Sequence, residues 1–224
     1  MTENAKSLCY NCGIRQATTR DHIIPKTLLP DPKPSRLLTV PACRECNESF
    51  SKDEEYFRDR LAAVIGDPSS EDPVIWEKAW ESLQKPEARG KKLGFYRDVF
   101  QLPKPVITNR GIPPIGIRMN KERVNRVVEK MVRGFYYHLF KERLEGVKFH
   151  IDLFSSIKPG RNVKTLRKYL EMVLSSPTWR RTFGSQTWVA VLLLEGDRRG
   201  GIWVIGLLGQ HFLFVVAEPY IYLP

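Results

Sequence analysis

All four cysteines of this 224-residue chain stand in two Cys-x-x-Cys turns, Cys9-Tyr-Asn-Cys12 and Cys43-Arg-Glu-Cys46. Such a turn aims two thiolates at one point, and two of them complete a tetrahedral sulfur shell for zinc. A closed four-sulfur shell leaves the ion no open position, so the expected Zn2+ holds the fold and performs no chemistry. Disulfides or a redox pair are the alternatives. Residues 1–7 read as short and polar rather than as a secretory leader, so an oxidising compartment is not expected and a cytoplasmic location is. A redox motif needs one Cys-x-x-Cys rather than two.

The loop clamped between the two turns carries Arg20-Asp21-His22-Ile23-Ile24-Pro25-Lys26, and Asn47 directly follows the last cysteine. Residues 18–24 are β-branched and end at Pro25, which predicts a short strand. Neighbours on a strand point to opposite sides, so Asp21 and His22 cannot share one task. Asp21 offers a hard oxygen suited to Mg2+ or Mn2+, and Asn47 offers a second oxygen from its amide. His22, with an ordinary pKa of about 6.5, suits proton abstraction from water near neutral pH. A cation held by Asp21 and Asn47, with His22 across from it, is a constellation for phosphodiester hydrolysis. Taken alone, an Asp-His pair reads as a salt-bridged surface strand; the enclosing cysteines and Asn47 favour the chemical reading.

Together these residues resemble the zinc-bearing HNH endonucleases of the ββα-metal fold, over about the first 60 positions. The resemblance implies Asp21 and Asn47 as ligands of the catalytic ion and His22 as the general base, acting on DNA. Restriction, phage defence and mobile elements are the contexts it implies. One feature departs from the family. Its middle Asn would fall near Leu38, where Arg36, Leu37 and Leu38 stand instead, which removes the residue that usually orients the catalytic loop.

The elements that must position these groups follow from the pattern. Leu37 to Val40 predicts a second strand, and a helix is expected to begin near Pro41 or Ala42, since Pro is tolerated in a first helical turn. Lys26 and Lys52 flank the site as candidates to meet phosphate, or as plain solvated lysines. Asp53, Glu54 and Glu55 open a further helical run; acids there complement the helix dipole, with a metal role for Glu54 or Glu55 as the lesser alternative.

The loop 66–73 divides the chain into an expected nuclease unit, 1–65, and an accessory α+β part, 66–224. In the latter, Val74 to Gln84 reads as a helix, 103–118 as an extended Pro-rich segment, and Asn120 to Leu144 as the clearest helix. That helix carries an apolar stripe of Val124, Val127, Val128, Met131, Phe135 and Leu139. Arg126, Lys130, Arg133 and Lys141 form a basic stripe, either a phosphate-tracking face or an ordinary wet surface. Val147 to Phe154, Thr187 to Leu194, Ile202 to Leu208 and Phe212 to Ala217 predict the strands of an antiparallel β meander, with a helix from Val163 to Leu174. The expected class is α+β.

Net charge is +11, and residues 119–224 hold 17 Lys and Arg against 9 Asp and Glu. That surplus fits a polyanionic partner, DNA above all, or an anionic membrane surface. No run of 18 apolar residues predicts a membrane span. The same residues leave open a zinc-stabilised nucleic-acid-binding protein without activity. They also leave open a nuclease gated by a ligand or protein partner of residues 66–224, and a homodimer.

Overall fold

In a computed structural model, described over residues 7–29, 32–65, 73–101, 115–155, 163–184, 187–207 and 211–220, the first cysteine turn is closed by its own backbone. Cys9 N–H donates to Arg15 O and Gly13 N–H to Cys9 O, each at 2.9 Å. Gly13 takes φ +63°, the left-handed region that closes such a turn at no steric cost. A Cβ there would also fall 1.6 Å from Arg143 Nη1, so any other residue would displace that guanidinium.

Strand β1 (Thr19–His22) pairs antiparallel with β2 (Thr39–Ala42), with Asp21 opposite Val40 and His22 opposite Thr39. The first cysteine turn is tied to this hairpin by Tyr10 N–H donating to Pro41 O at 2.9 Å. Pro41 and Ala42 are therefore strand, not the opening of the helix. Helix α1 (Arg44–Ser49) starts later because Cys43 is its N-cap, the thiol accepting from Cys46 N–H at 3.4 Å. Ala42 O is meanwhile taken by Thr18 N–H and by the Thr19 hydroxyl.

Helix α2 (Ser51–Ile65) follows, then α3 (Pro73–Gln84), α4 (Arg89–Asp98), β3 (Val99–Gln101) and β4 (Ile115–Ile117), the last two paired with each other. The expected boundary loop and most of the Pro-rich segment, 66–72 and 102–114, lie outside the described residues.

Helix α5 (Lys121–Phe140) is capped by Asn120, whose Oδ1 accepts from Arg123 N–H at 3.1 Å. It stops at Lys141, in left-handed conformation at φ 58°, short of the expected Leu144. Of the predicted stripe, Val124, Val127, Val128, Met131 and Phe135 are in the core, each side chain stabilising by ~1.5–3 kcal/mol, and Leu139 is partly buried against it. At Gly134 the helix approaches the end of the hairpin so closely that a Cβ would lie 3.1 Å from Ile23.

The chain ends in β5 (Val147–Ser155), α6 (Val163–Ser175), β6 (Trp179–Phe183), β7 (Thr187–Leu193), β8 (Gly201–Leu207) and β9 (His211–Pro219). These strands form one five-stranded antiparallel sheet in the order β5-β9-β8-β7-β6. Strand β6 was not expected from the sequence. One face of the sheet meets α5, with Phe135 against Trp203, Trp179 and Phe183 at ring-centroid distances of 6.3, 5.9 and 6.1 Å. The other face packs Ala190, Val204 and Phe214 against Val173 of α6. The fold is thus α+β. One continuous core joins Cys9, Ile23 and Phe57 through α5 to Trp203 and Val215, so the first 65 residues and the sheet share their interior. Among the described residues no helix is long and apolar enough to cross a membrane.

Candidate functional site

The four thiols converge. Their sulfurs all lie within 4.8 Å of one another, and Cys12 Sγ and Cys43 Sγ are 4.0 Å apart. A tetrahedral zinc with Zn–S of about 2.3 Å sets its sulfurs about 3.8 Å apart, so the tetrad can hold such an ion with small adjustment. Asn11 Nδ2 points at Cys46 Sγ from 3.5 Å, a donor suited to a thiolate. Without a cation the thiols titrate far apart: the Arg15 backbone N–H draws Cys12 down to about 6, while burial pushes Cys46 up to about 12. A divalent ion relieves that conflict by offsetting the charge of thiolates that burial otherwise disfavours. No disulfide competes, since all four cysteines are free.

The hairpin sorts the catalytic candidates by face. Thr19 and Asp21 point inward with Val40 and Ala42; Arg20 and His22 point outward, where Arg20 Nε donates to the Thr39 hydroxyl at 2.7 Å. Asn47, on α1, donates through Nδ2 to Thr19 Oγ1 at 3.2 Å, which puts it over the same face as Asp21. The amide nitrogen is spent on Thr19, and Oδ1 is the atom a hard cation would take.

Asp21 is more enclosed than the sequence suggested. It is 3 % exposed, Tyr10 OH donates to Oδ2 at 2.8 Å, and Lys130 Nζ lies 2.7 Å from Oδ1. Lys130 also donates to Glu54 Oε1, so a single ammonium from α5 bridges two carboxylates of the N-terminal unit. Burial and then the Asp21 charge push the Tyr10 phenol well above its ordinary range. Burial raises Glu54, with Lys130 opposing. With both Asp21 oxygens engaged, this arrangement does not present an open site for a hydrated Mg2+ or Mn2+. The residues fit such an ion only with Lys130 withdrawn.

His22 has the opposite character. It is partly exposed, and burial, then the positive charge of Lys26, lower its pKa below the ordinary 6.5, with Asp21 pulling the other way. The imidazole is therefore neutral at pH 7 and free to accept a proton.

The basic stripe on α5 is redistributed by the fold. Lys130 is corrected outright: at 1 % exposure it cannot track a phosphate backbone. Arg126 donates to Asp53 Oδ2 at 2.8 Å and to Ser49 Oγ at 3.0 Å. Arg133 donates to Leu144 O at 2.5 Å, and Lys141 to His138 O at 2.9 Å. Much of this stripe clamps α5 onto α2 and the following loop. Lys26 and Lys52 are exposed and carry no ion pair among the described residues. The groups missed from the sequence are Tyr10 and the Lys130–Glu54 bridge. Only the midposition of Tyr10 between two cysteines hinted at its place.

No protein-family model, curated protein or solved structure matches the chain.

Proposed function

We propose that the chain is a zinc-stapled endonuclease of the HNH kind that hydrolyses phosphodiester bonds in DNA, in a reducing compartment such as the cytoplasm. The observation that carries this reading is His22: a neutral, partly exposed imidazole on a hairpin clamped by a cysteine tetrad, with Lys26 beside it. His22 takes a proton from the attacking water. Lys26, exposed beside His22, draws the phosphate to that edge of the hairpin. The tetrad fixes β1 against α1, and an error of about 1 Å between them could cost on the order of 100-fold in rate. In the metal-dependent form, Asp21 and Asn47 would hold the divalent ion, which supplies charge stabilisation at the leaving oxygen.

The test is cleavage of supercoiled plasmid in magnesium, in manganese and with neither, beside DNA binding by fluorescence anisotropy. His22→Ala is expected to lose at least ~100-fold in rate and to keep binding. A variant that cuts as well as the parent removes the assignment.

The pH profile follows from the direction of the His22 shift. Because its pKa lies below 6.5, the rate should rise on an acid limb inflecting below that value and stay level through neutrality. The same shift affects stability. The unfolded chain binds the extra proton first, so stability is unaffected above 6.5 and falls as pH drops from 6.5 toward the folded value. A rate that inflects above 7 would point to another base.

A gated nuclease is the second reading, and the Lys130 contact favours it. The ammonium that closes Asp21 comes from α5, within the accessory part. On this reading the purified protein is silent until a ligand or partner draws α5 back.

A further inference from the structure

A cavity of about 660 Å³ lies away from the tetrad and His22, between α2, α4 and the junction of β4 with α5. Its volume suits a small organic ligand. Six basic side chains and three acidic ones line it. The acids are already answered. Lys91 Nζ sits 2.7 Å from Glu55 and 2.8 Å from Asp59, and Arg60 Nη2 lies 2.5 Å from Asp98. Arg123 is held by Asp53 at 2.6 Å. Lys52, Arg97 and Arg118 remain, with no ion pair among the described residues. The unspent charge of the cavity is positive and comes from those three.

Its walls are set before any ligand arrives. Arg60, 4 % exposed, is clamped between the rings of Tyr56 and Phe95 at 4.5 and 5.1 Å, and its buried Nε has no hydrogen-bond partner among the described residues. Arg123 covers the Tyr56 ring at 4.2 Å, and Tyr56 OH accepts from Asn120 N–H at 2.8 Å. Gly90 and Gly94 stand one turn apart on α4 and line the same space, yet a Cβ at either would meet nothing within 4 Å. Packing does not ask for glycine there, and glycine weakens a helix. What the two absent side chains leave is room.

We propose that this cavity binds a small phosphorylated ligand carrying at least two negative charges. Arg97, Arg118 and Lys52 meet the phosphates, and the rest of the ligand lies on the Gly90–Gly94 face of α4. Planar guanidinium groups suit phosphate oxygens, and a recess lined by α2, α4 and the β4–α5 junction has room for a compact ligand. The assignment goes beyond the nuclease reading and does not need it.

Isothermal titration of the zinc-loaded full chain with inorganic pyrophosphate and with ADP tests it. At least one probe should bind with a dissociation constant under about 1 mM, and Arg97→Ala and Arg118→Ala should each weaken it by about tenfold or more. Tighter binding of ADP makes the ligand a nucleotide, and equal binding makes phosphate the whole epitope. Gly94→Leu fills the cavity and should abolish binding while the melting temperature stays level or rises, which a merely structural glycine would not allow. Failure of both probes overturns the proposal, as do arginine variants that bind like the parent. If instead a single-stranded oligonucleotide binds and those variants lose it while neither probe binds, the cavity is a strand subsite and the small-ligand assignment falls.

Discussion

Cys43→Ser is expected to unfold the N-terminal half of the chain and to weaken the rest. Cys43 does two jobs: its sulfur belongs to the tetrad, and it caps α1 by accepting from Cys46 N–H. A structural zinc site of this kind contributes on the order of 10 kcal/mol at neutral pH, comparable to the whole net stability of a typical domain at about 5–15 kcal/mol. Serine keeps the cap but is a poor zinc ligand, so the loss is of the ion. Cys9, Cys43 and Cys46 also belong to the core that α5 shares with the sheet, so damage spreads past residue 65. The parent should carry one zinc per chain by elemental analysis, and the variant none. Thermal unfolding followed by circular dichroism should show the parent's cooperative transition lost or shifted down by well over 10 °C, on a scale of ~2–4 °C per kcal/mol for a chain of this size. A parent that keeps its transition after complete removal of metal would show that the ion does not hold the fold, and a parent without zinc would show that the tetrad is not a zinc site.

The sequence made the tetrad legible because ligand spacing is local: two cysteines three apart must share a turn. The sheet was legible wherever apolar residues ran together, as in β7, β8 and β9, and α5 was legible from its stripe. Strand β6, Trp-Arg-Arg-Thr-Phe, escaped because it is short and half polar; Trp179, Arg181 and Phe183 find their face only by pairing with β7. A local rule on proline assigns Pro41 and Ala42 to a helix. Pairing with β1 and the hydrogen bond from Tyr10 outweigh that rule. Lys130 is the instructive case. Spacing placed it in a basic stripe with Arg126 and Arg133, and spacing cannot say what lies opposite. Only the crossing of α5 over α2 and the hairpin brings it between Asp21 and Glu54.

Lys130→Met should therefore be among the most damaging single changes outside the tetrad, and its damage should depend on pH and on divalent ions in a set direction. Methionine keeps the length of the side chain and removes the ammonium, leaving Asp21 and Glu54 facing each other in a buried space. Breaking a buried ion pair from one side costs about 3–5 kcal/mol, which at ~2–4 °C per kcal/mol lowers the melting temperature by roughly 10 °C. Glu54 already has a raised pKa from burial, and losing Lys130 raises it further. A carboxyl raised in the folded state contributes its stability fully below its unfolded pKa and loses it as pH climbs through the folded one. The variant should thus approach the parent below about pH 4.5 and fall furthest behind near neutrality. Added magnesium separates the two readings of the site. With the ammonium gone, Asp21 Oδ1 loses its cation, and Asn47 stands over the same face of the hairpin. Magnesium at ~100 times its dissociation constant would then restore about 2.7 kcal/mol to the variant and little to the parent. Equal responses in both proteins would mean that the ion does not sit on Asp21, and the metal-dependent form of the nuclease reading would fall with it.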